Sequence, residues 1–431
     1  LPPAHHMTVR RDGVRIEQYW ALDPERDIRM KSDGEYAEAF REIFTEAVRC
    51  RLRSAFPVGS MLSGGLDSSS IVCVARKLLA EDGGGKLHTF SAIFPDVPEC
   101  DERGYIDAVV AGGGVEPHYV RGDRLNPFAD LDQVFHHEDE PFFAPNLFLH
   151  WGLYSAGEQE GVRVLLDGID GDTTVSHGVS YLAELARSGR LITLAREVTG
   201  LSRRFNRSPW AFLRARVVQP FVPEPIRRGW QILLRRGPSN SHATGVGAYQ
   251  RARSKALRSS KQGHYFDLTS GLIPFLLEVA DRAAAAFRLE PRYPFFDKRL
   301  AEFCLALPPE QKLHAGWTRV VARRALARIL PEKIGSRGGK TDLSPNFIRA
   351  VVASQEPSVR HVVVTDSETV QPYVDVATLR EAYRKYSSTS SEGDALTVWK
   401  SVSLTLWLRR QSFSACTHQL RGIHGLPERA D

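Results

Sequence analysis

The stretch Ser63-Gly64-Gly65-Leu66-Asp67-Ser68-Ser69 follows the apolar run 56–62 and precedes Ile71, Val72, Val74, Ala75, Leu78 and Leu79 at helical spacing. A buried strand that turns through small residues into a helix commits the surrounding chain to an α/β layer structure. Two glycines let backbone amides approach an anion, three hydroxyls add donors, and the helix start favours negative charge. Asp67 is out of place beside a phosphate unless a divalent cation lies between them, so the acid predicts magnesium. In an ordinary turn, Asp67 or Ser68 would instead cap the helix.

The segment lacks the Gly-Lys-Ser/Thr ending of a Walker loop. It resembles the pyrophosphate-binding loop of ATP pyrophosphatases, which cleave ATP between the α and β phosphates.

Strand-like and helix-like segments alternate after this turn. Residues 87–94, 117–120 and 162–166 read as strands, separated by helices over 102–111 and 151–158, with a preceding helix at 36–52. Such alternation predicts a doubly wound parallel α/β sheet covered on both faces, with ligands bound beyond the carboxyl ends of the strands. From about Tyr181 the pattern is helical, with proline, glycine and serine breaks at 219–225 and 237–247, and an amphipathic helix at 395–408.

The chain begins with a hairpin pattern, residues 7–11 and 14–19 around Asp12-Gly13. A lone hairpin is marginal in water, so residues 1–25 are expected to be the remnant of a larger N-terminal sheet. The expected division continues with an α/β core at 26–180, a basic helical insert at 181–270, and a helical C-terminal part at 271–431.

Composition excludes several classes. The most apolar run, 271–287, is interrupted by Glu278, Asp281 and Arg282, so no membrane span is expected and a cytoplasmic location is the default. Five cysteines without paired spacing argue against a disulfide scaffold or a Cys-x-x-Cys zinc site. The net charge of +6 is unevenly spread, with arginine crowded into the block 187–261, which suits an acidic peptide, a partner protein or nucleic acid, or simply a solvated helical face.

Residues 164–172, Val-Leu-Leu-Asp-Gly-Ile-Asp-Gly-Asp, place three carboxylates and two glycines at the end of a strand. Convergence of Asp67 and this acidic cluster on one cleft would hold Mg²⁺ together with substrate phosphates, where the bland alternative is a turn rich in Asp and Gly. Adjacent residues in His136-His137-Glu138-Asp139-Glu140 point in different directions on a helix and form no ready chelate.

Taken together, these residues resemble the synthetase domain of the asparagine synthetase family, and most closely the lasso-peptide macrolactam synthetases (cyclases), with the β-lactam synthetases related. The likeness runs over nearly the whole chain. It includes Leu1-Pro2-Pro3-Ala4-His5 and Tyr19-Trp20, which resemble the last strands of a glutaminase-like domain. It also includes the loop Ser63 to Ser69, Thr89-Phe90-Ser91, Asp101-Glu102, Asp139-Glu140-Pro141, and Glu290-Pro291-Arg292-Tyr293-Pro294-Phe295-Phe296-Asp297.

The resemblance implies that Ser63, Gly64, Gly65, Asp67, Ser68, Ser69 and Gly168 bind ATP, and that Asp67 and Asp172 hold magnesium. It implies catalytic roles for Lys340, for Arg319 in place of a second pyrophosphate-binding lysine, and for Glu290. Ile169 stands where asparagine synthetases carry a glutamate and β-lactam synthetases a tyrosine that handles the amine's proton. Asp170, His177, Glu278 and Glu290 are the candidate replacements.

The expected activity is ATP-dependent amide ligation through an acyl-adenylate, with macrolactam closure of a precursor peptide as the leading substrate reading. Its expected partners are the peptide, a leader peptidase and a leader-binding protein; no nucleic-acid or membrane partner is expected. Glutamine-dependent asparagine synthesis, with aspartate as substrate, is the alternative. A reading from another class is an ATP-binding scaffold subunit.

Overall fold

The computed structural model describes residues 1–83, 85–141, 145–222, 252–253, 255–257, 259–353, 357–365, 367–389 and 392–423. At its centre is a sheet of five strands: β3 (Val58–Met61), β4 (Leu87–Ile93), β5 (Val115–Arg121), β6 (Val164–Leu166) and β7 (Glu290–Arg292). Their order is β5-β4-β3-β6-β7, and every pairing is parallel. The chain moves from β3 outward through β4 to β5, then returns to place β6 on the other side of β3. The gap between β3 and β6 is therefore a topological switch point, where loops leave the strand ends in opposite directions and open a crevice.

The register Ser60 opposite Leu166 fixes what faces that crevice. Ser63 and its neighbours follow β3, and Asp167 to Asp172 follow β6, so the two motifs meet side by side.

Alternation along the strands divides the core into two layers, as a sheet covered on both faces requires. Val164 and Leu166 join one cluster with Phe40, Phe44, Ile71 and Leu300, while Leu165 joins the other with Phe90, Trp151, Tyr154 and Trp399. The first layer is built by α1 (Asp33–Arg49), α2 (Leu66–Glu81) and α3 (Arg103–Val110) with the helix Lys298–Ala306. The second contains α4 (Leu131–Glu138), α5 (Leu147–Gln159), the helix Leu272–Ala285 and the C-terminal helices. Prolines 117 and 291 lie on the two edge strands, where a missing N–H costs no central ladder bond.

The described part of residues 181–270 contributes to a small separate core. In α7 (Tyr181–Arg187) and α8 (Leu191–Phe205), Leu182, Leu185, Leu194, Val198 and Leu201 pack together with Leu313. The π-helical turn Leu213–Val218 follows. Arg227, Arg228, Arg235 and Arg236 of the basic block lie outside the described residues, as do the break at 237–247 and much of that at 219–225.

Three local readings are revised. The hairpin β1 (His5–Arg10) and β2 (Gly13–Gln18) turns at Arg11 and Asp12, with Gly13 already paired to Arg10. The C-terminal helix spans Glu392–Ile423, well beyond 395–408. The segment after residue 271 is not wholly helical, since it supplies β7 and the two-residue strands β8 (Leu313–His314) and β9 (Trp317–Thr318). Strands of two or three residues are too short to show a period-2 pattern. No helix among the described residues is long and apolar enough to cross a membrane.

Candidate active site

The phosphate-loop sequence takes the conformation its glycines allow. Gly64 has φ +70°, and a Cβ there would lie 2.7 Å from Cβ of Tyr105 and 3.1 Å from the Ile106 nitrogen, so only glycine fits both the turn and its packing. The loop closes on its own hydroxyls: Ser63 N donates to Ser68 Oγ at 3.2 Å, and the two Oγ atoms lie 3.1 Å apart. Gly65 caps α2 without a side chain, leaving the helix start open toward the crevice. Ser69 Oγ is buried there with no partner among the described residues.

Gly168 and Gly171 bring the acidic loop against this helix start. A Cβ on Gly168 would lie 2.8 Å from Ser68 N, and one on Gly171 would lie 3.0 Å from Asp67 Cβ. Between the glycines, Asp170 takes φ +51° and caps the short helix α6 (Gly171–Val175), which carries Asp172.

Two cations enter from distant parts of the chain. Arg319 Nη1 donates to Asp67 Oδ1 at 2.7 Å and Oδ2 at 2.8 Å, with both side chains buried. Lys340 Nζ lies 3.3 Å from Asp172 Oδ2 and 3.9 Å from Asp67 Oδ2. One ammonium is thus flanked by both carboxylates. His177 Nε2 stands 3.2 Å from the same Asp172 oxygen. Burial opposes ionisation of Asp172, but His177, Lys340 and Arg319 outweigh it and hold its carboxyl well below the usual range.

Asp170 is shifted the other way. Burial raises its pKa, and repulsion from Asp172 and Asp67 adds to this against the opposing pull of Lys340. Asp167 is also raised, chiefly by burial, with His150, the backbone amides of Ile169 and Gly168, and Lys340 opposing. Its Oδ1 accepts from Ile169 N at 2.9 Å, while Oδ2 is buried and unpartnered among the described residues.

Arg319 is itself a strained residue, with φ +55° at the start of the helix Val320–Leu326. Its placement depends on α8. In α8, Glu197 accepts from Ala315 N at 3.0 Å and Gly316 N at 2.8 Å, holding the β8–β9 turn directly before Arg319. Arg319 Nε is buried without a partner among the described residues, so one strong donor remains for an incoming anion.

Two further arginines tie the cationic loops together. Arg337 donates to Gly64 O at 2.9 Å and Gly339 O at 2.8 Å, pairs with Glu102, and stacks 4.2 Å from the Tyr105 ring centroid. Arg323 donates to the carbonyls of Thr318, Gly335 and Arg337. The sequence singled out neither for a role at this site. Spacing offered no signal, since Arg319 itself stands outside the helix Val320–Leu326 that carries Arg323.

Among the expected site residues, Ser63, Gly64, Gly65, Asp67, Ser68, Ser69, Gly168, Asp172, Arg319 and Lys340 gather at the switch point. Glu290 does not. It opens β7 beside Val164 at the amino ends of the strands, pairs with Arg292 at 2.8 Å, and faces a surface hollow with Arg53, Phe56 and Arg163. A parallel strand puts its first residue at the edge opposite the phosphate loop, and this removes Glu290 from the crevice. Glu278 is also engaged, with Arg282, on an exposed helix face.

Above the acidic loop lies a cavity of 530 Å³, a size suited to a small-molecule ligand. Its polar wall includes Asp67, Ser68, Asp167, Asp170 and Lys340, and its apolar wall includes Met61, Phe90, Leu153 and Ile169, with His150 between them. The donor set fits a divalent cation with phosphates. Two carboxylates already hold a positive group between them, and Ser69 Oγ and Arg319 Nε are unspent beside it.

Residues 39–409 match the asparagine synthase family. The chain belongs to the asparagine synthase family. It is 24% identical over 405 residues to the glutamine-hydrolyzing asparagine synthetase 3 of Bacillus subtilis, covering 84% of this chain and 58% of that protein. Over 171 residues it is 32% identical to a putative glutamine-hydrolyzing asparagine synthetase 2 of Methanocaldococcus jannaschii, covering 39% of this chain and 31% of that protein. A fungal relative, the amidase chry2 of Gibberella zeae, is 28% identical over 185 residues, 39% of this chain and 27% of the relative. The chain thus spans little more than half the length of the Bacillus relative.

Proposed function

We propose that this asparagine synthase family chain is an ATP-dependent amide ligase, in which a substrate carboxylate attacks the α-phosphorus of ATP, pyrophosphate leaves, and an amine displaces AMP. The observation that carries this reading is the pairing of Asp67 and Asp172 around Lys340, with Arg319 beside them, at the mouth of the phosphate loop. Negative charge grows on the leaving pyrophosphate, and fixed cations aimed at it lower the barrier. Asp67 and Asp172 would hold magnesium, which supplies charge neutralisation at the phosphates. Lys340 then turns from the acids to the phosphates. Arg319 stays buried and offers its remaining donor.

The amine's proton needs an acceptor within hydrogen-bond reach. Of the four candidates read from the sequence, Asp170 lines the cavity, and its raised pKa suits proton acceptance. His177 is committed to Asp172.

For the substrate, our reading is a precursor peptide that closes its N-terminal amine onto an Asp or Glu side chain. The apolar wall at Ile169, where asparagine and β-lactam synthetases carry a group that handles the amine's proton, sets this site apart from both and supports it. A leader peptidase and a leader-binding protein would act with such an enzyme.

The test is substrate-dependent exchange of labelled pyrophosphate into ATP. Exchange with peptides carrying a free amine and a side-chain carboxylate supports ring closure. Exchange with aspartate alone would move the reading to asparagine synthesis, and no exchange with any carboxylate would leave a scaffold. Asp172→Asn and Lys340→Ala should each abolish exchange with an unchanged circular dichroism spectrum. Near wild-type turnover in both would refute their roles.

A further inference from the structure

At the edge of the sheet opposite the nucleotide crevice, three metal-type ligands converge from neighbouring strands. His88 lies near the start of β4, Glu116 near the start of β5 and His118 at its middle; in the parallel register Glu116 stands opposite His88, and His118 opposite Phe90. All three side chains therefore project from the same face of the sheet. One donor atom from each lies within 4.8 Å of the others.

The spacing is that of a chelate. His88 Nδ1 and His118 Nε2 share a hydrogen bond at 3.0 Å, and exchange of that proton for a metal needs only a slight widening to the ~3.3 Å separating two imidazole nitrogens on a tetrahedral zinc ion with bonds of about 2.0 Å. The rings are held by packing. The His88 and His118 centroids are 5.2 Å apart with planes at 13°, and His118 lies 4.9 Å from the Phe90 ring at 17°.

The outer nitrogen of His118 completes the pattern. Its Nδ1 lies 3.4 Å from Glu160 Oε1, at the end of α5. A carboxylate hydrogen-bonded to the far nitrogen would fix the tautomer that presents Nε2 to a metal and strengthen it as a ligand, and Glu160 stands within a small side-chain adjustment of that role.

We propose that His88, Glu116 and His118 form a binding site for a borderline divalent metal ion such as Zn²⁺, with Glu160 orienting His118. Two imidazoles and one carboxylate suit that class of ion, whereas magnesium and calcium prefer all-oxygen sets. Glu116 is exposed, so water completes the coordination. The metal would clamp edge strand β5 to β4 and to the end of α5, away from the ATP site.

The test uses the full chain, stripped with a chelator and titrated with Co²⁺ in excess magnesium, so that oxygen-rich sites are already filled. One equivalent should bind with the visible absorption of a tetrahedral nitrogen-containing site, be displaced by Zn²⁺, and raise the melting temperature. His118→Ala should lose the band and the thermal shift. Glu116→Gln, at an exposed position that cannot threaten folding, should weaken binding sharply, and Glu160→Gln should weaken it about tenfold. No band in the wild type, or the same band and affinity in Glu116→Gln and His118→Ala, would overturn the proposal.

Discussion

Gly168→Ala separates the account of this site from any account in which the two loops are merely neighbours. The added Cβ would lie 2.8 Å from Ser68 N and 3.1 Å from Asp67 C and Ser68 Cα. All three atoms are backbone at the start of α2, so no side chain can swing aside. Reaching ordinary contact requires the loops to part by about 0.6 Å, and overpacking of this kind costs about 1–3 kcal/mol. The same displacement moves Asp172 away from Asp67, and misplacement on this scale lowers turnover by about 10- to 100-fold. Thermal unfolding and pyrophosphate exchange on the same preparation read the two effects separately. A variant with wild-type melting temperature and wild-type exchange would refute the claimed contact and the coupling of the two acids.

Glu290→Gln should leave exchange unchanged and alter stability by no more than about 1 kcal/mol, because it breaks only a largely exposed pair with Arg292; a large loss of exchange would return Glu290 to the site. Arg337→Ala should cost about 2–3 kcal/mol, since it leaves the partly buried Glu102 with only the Thr341 amide and frees the Lys340 loop from Gly64, and a shift in melting temperature measures it. Lys312 is fully buried against His264 Nδ1 at 3.0 Å with no ion-paired carboxylate among the described residues, and burial drives its pKa down to about 7. The unfolded chain therefore binds one more proton than the folded chain between pH 7 and about 10.5, so the cost of burying Lys312 is full below 7 and fades as pH rises through that window. Lys312→Met should raise stability by on the order of 3 kcal/mol at pH 6.5 and give little gain at pH 10; a gain independent of pH in unfolding measurements would contradict this.

What could be read ahead of the structure follows from physical range. The Ser63 loop and the acidic segment after Leu166 could be paired in advance because each follows a strand in an alternating α/β pattern, and such strands deliver their following loops to one edge; the family resemblance then picked out Asp67 and Asp172 within them. The same rule misplaced nothing where a strand was recognised. Glu290 was misplaced because its strand, Glu-Pro-Arg, lacks the apolar run that marked the equally short β6, so nothing in the sequence told which end of the sheet it occupies. Arg323 and Arg337 act through carbonyls of loops brought together only by folding, and neither composition nor spacing marks a backbone acceptor. Lys312 looked like any surface lysine, and its burial depends on α6, the helix Ser260–Thr269 and the helix Lys298–Ala306 closing around it.

The central claim is that Asp67 and Asp172 hold one cation against the triphosphate of a nucleotide. Crystals grown with a non-hydrolysable ATP analogue and Mn²⁺ in place of magnesium would test it by anomalous diffraction. The account predicts a manganese peak within coordination distance of both carboxylates, with Lys340 withdrawn from them toward the phosphates. A nucleotide bound in the crevice with its metal touching neither aspartate would contradict it.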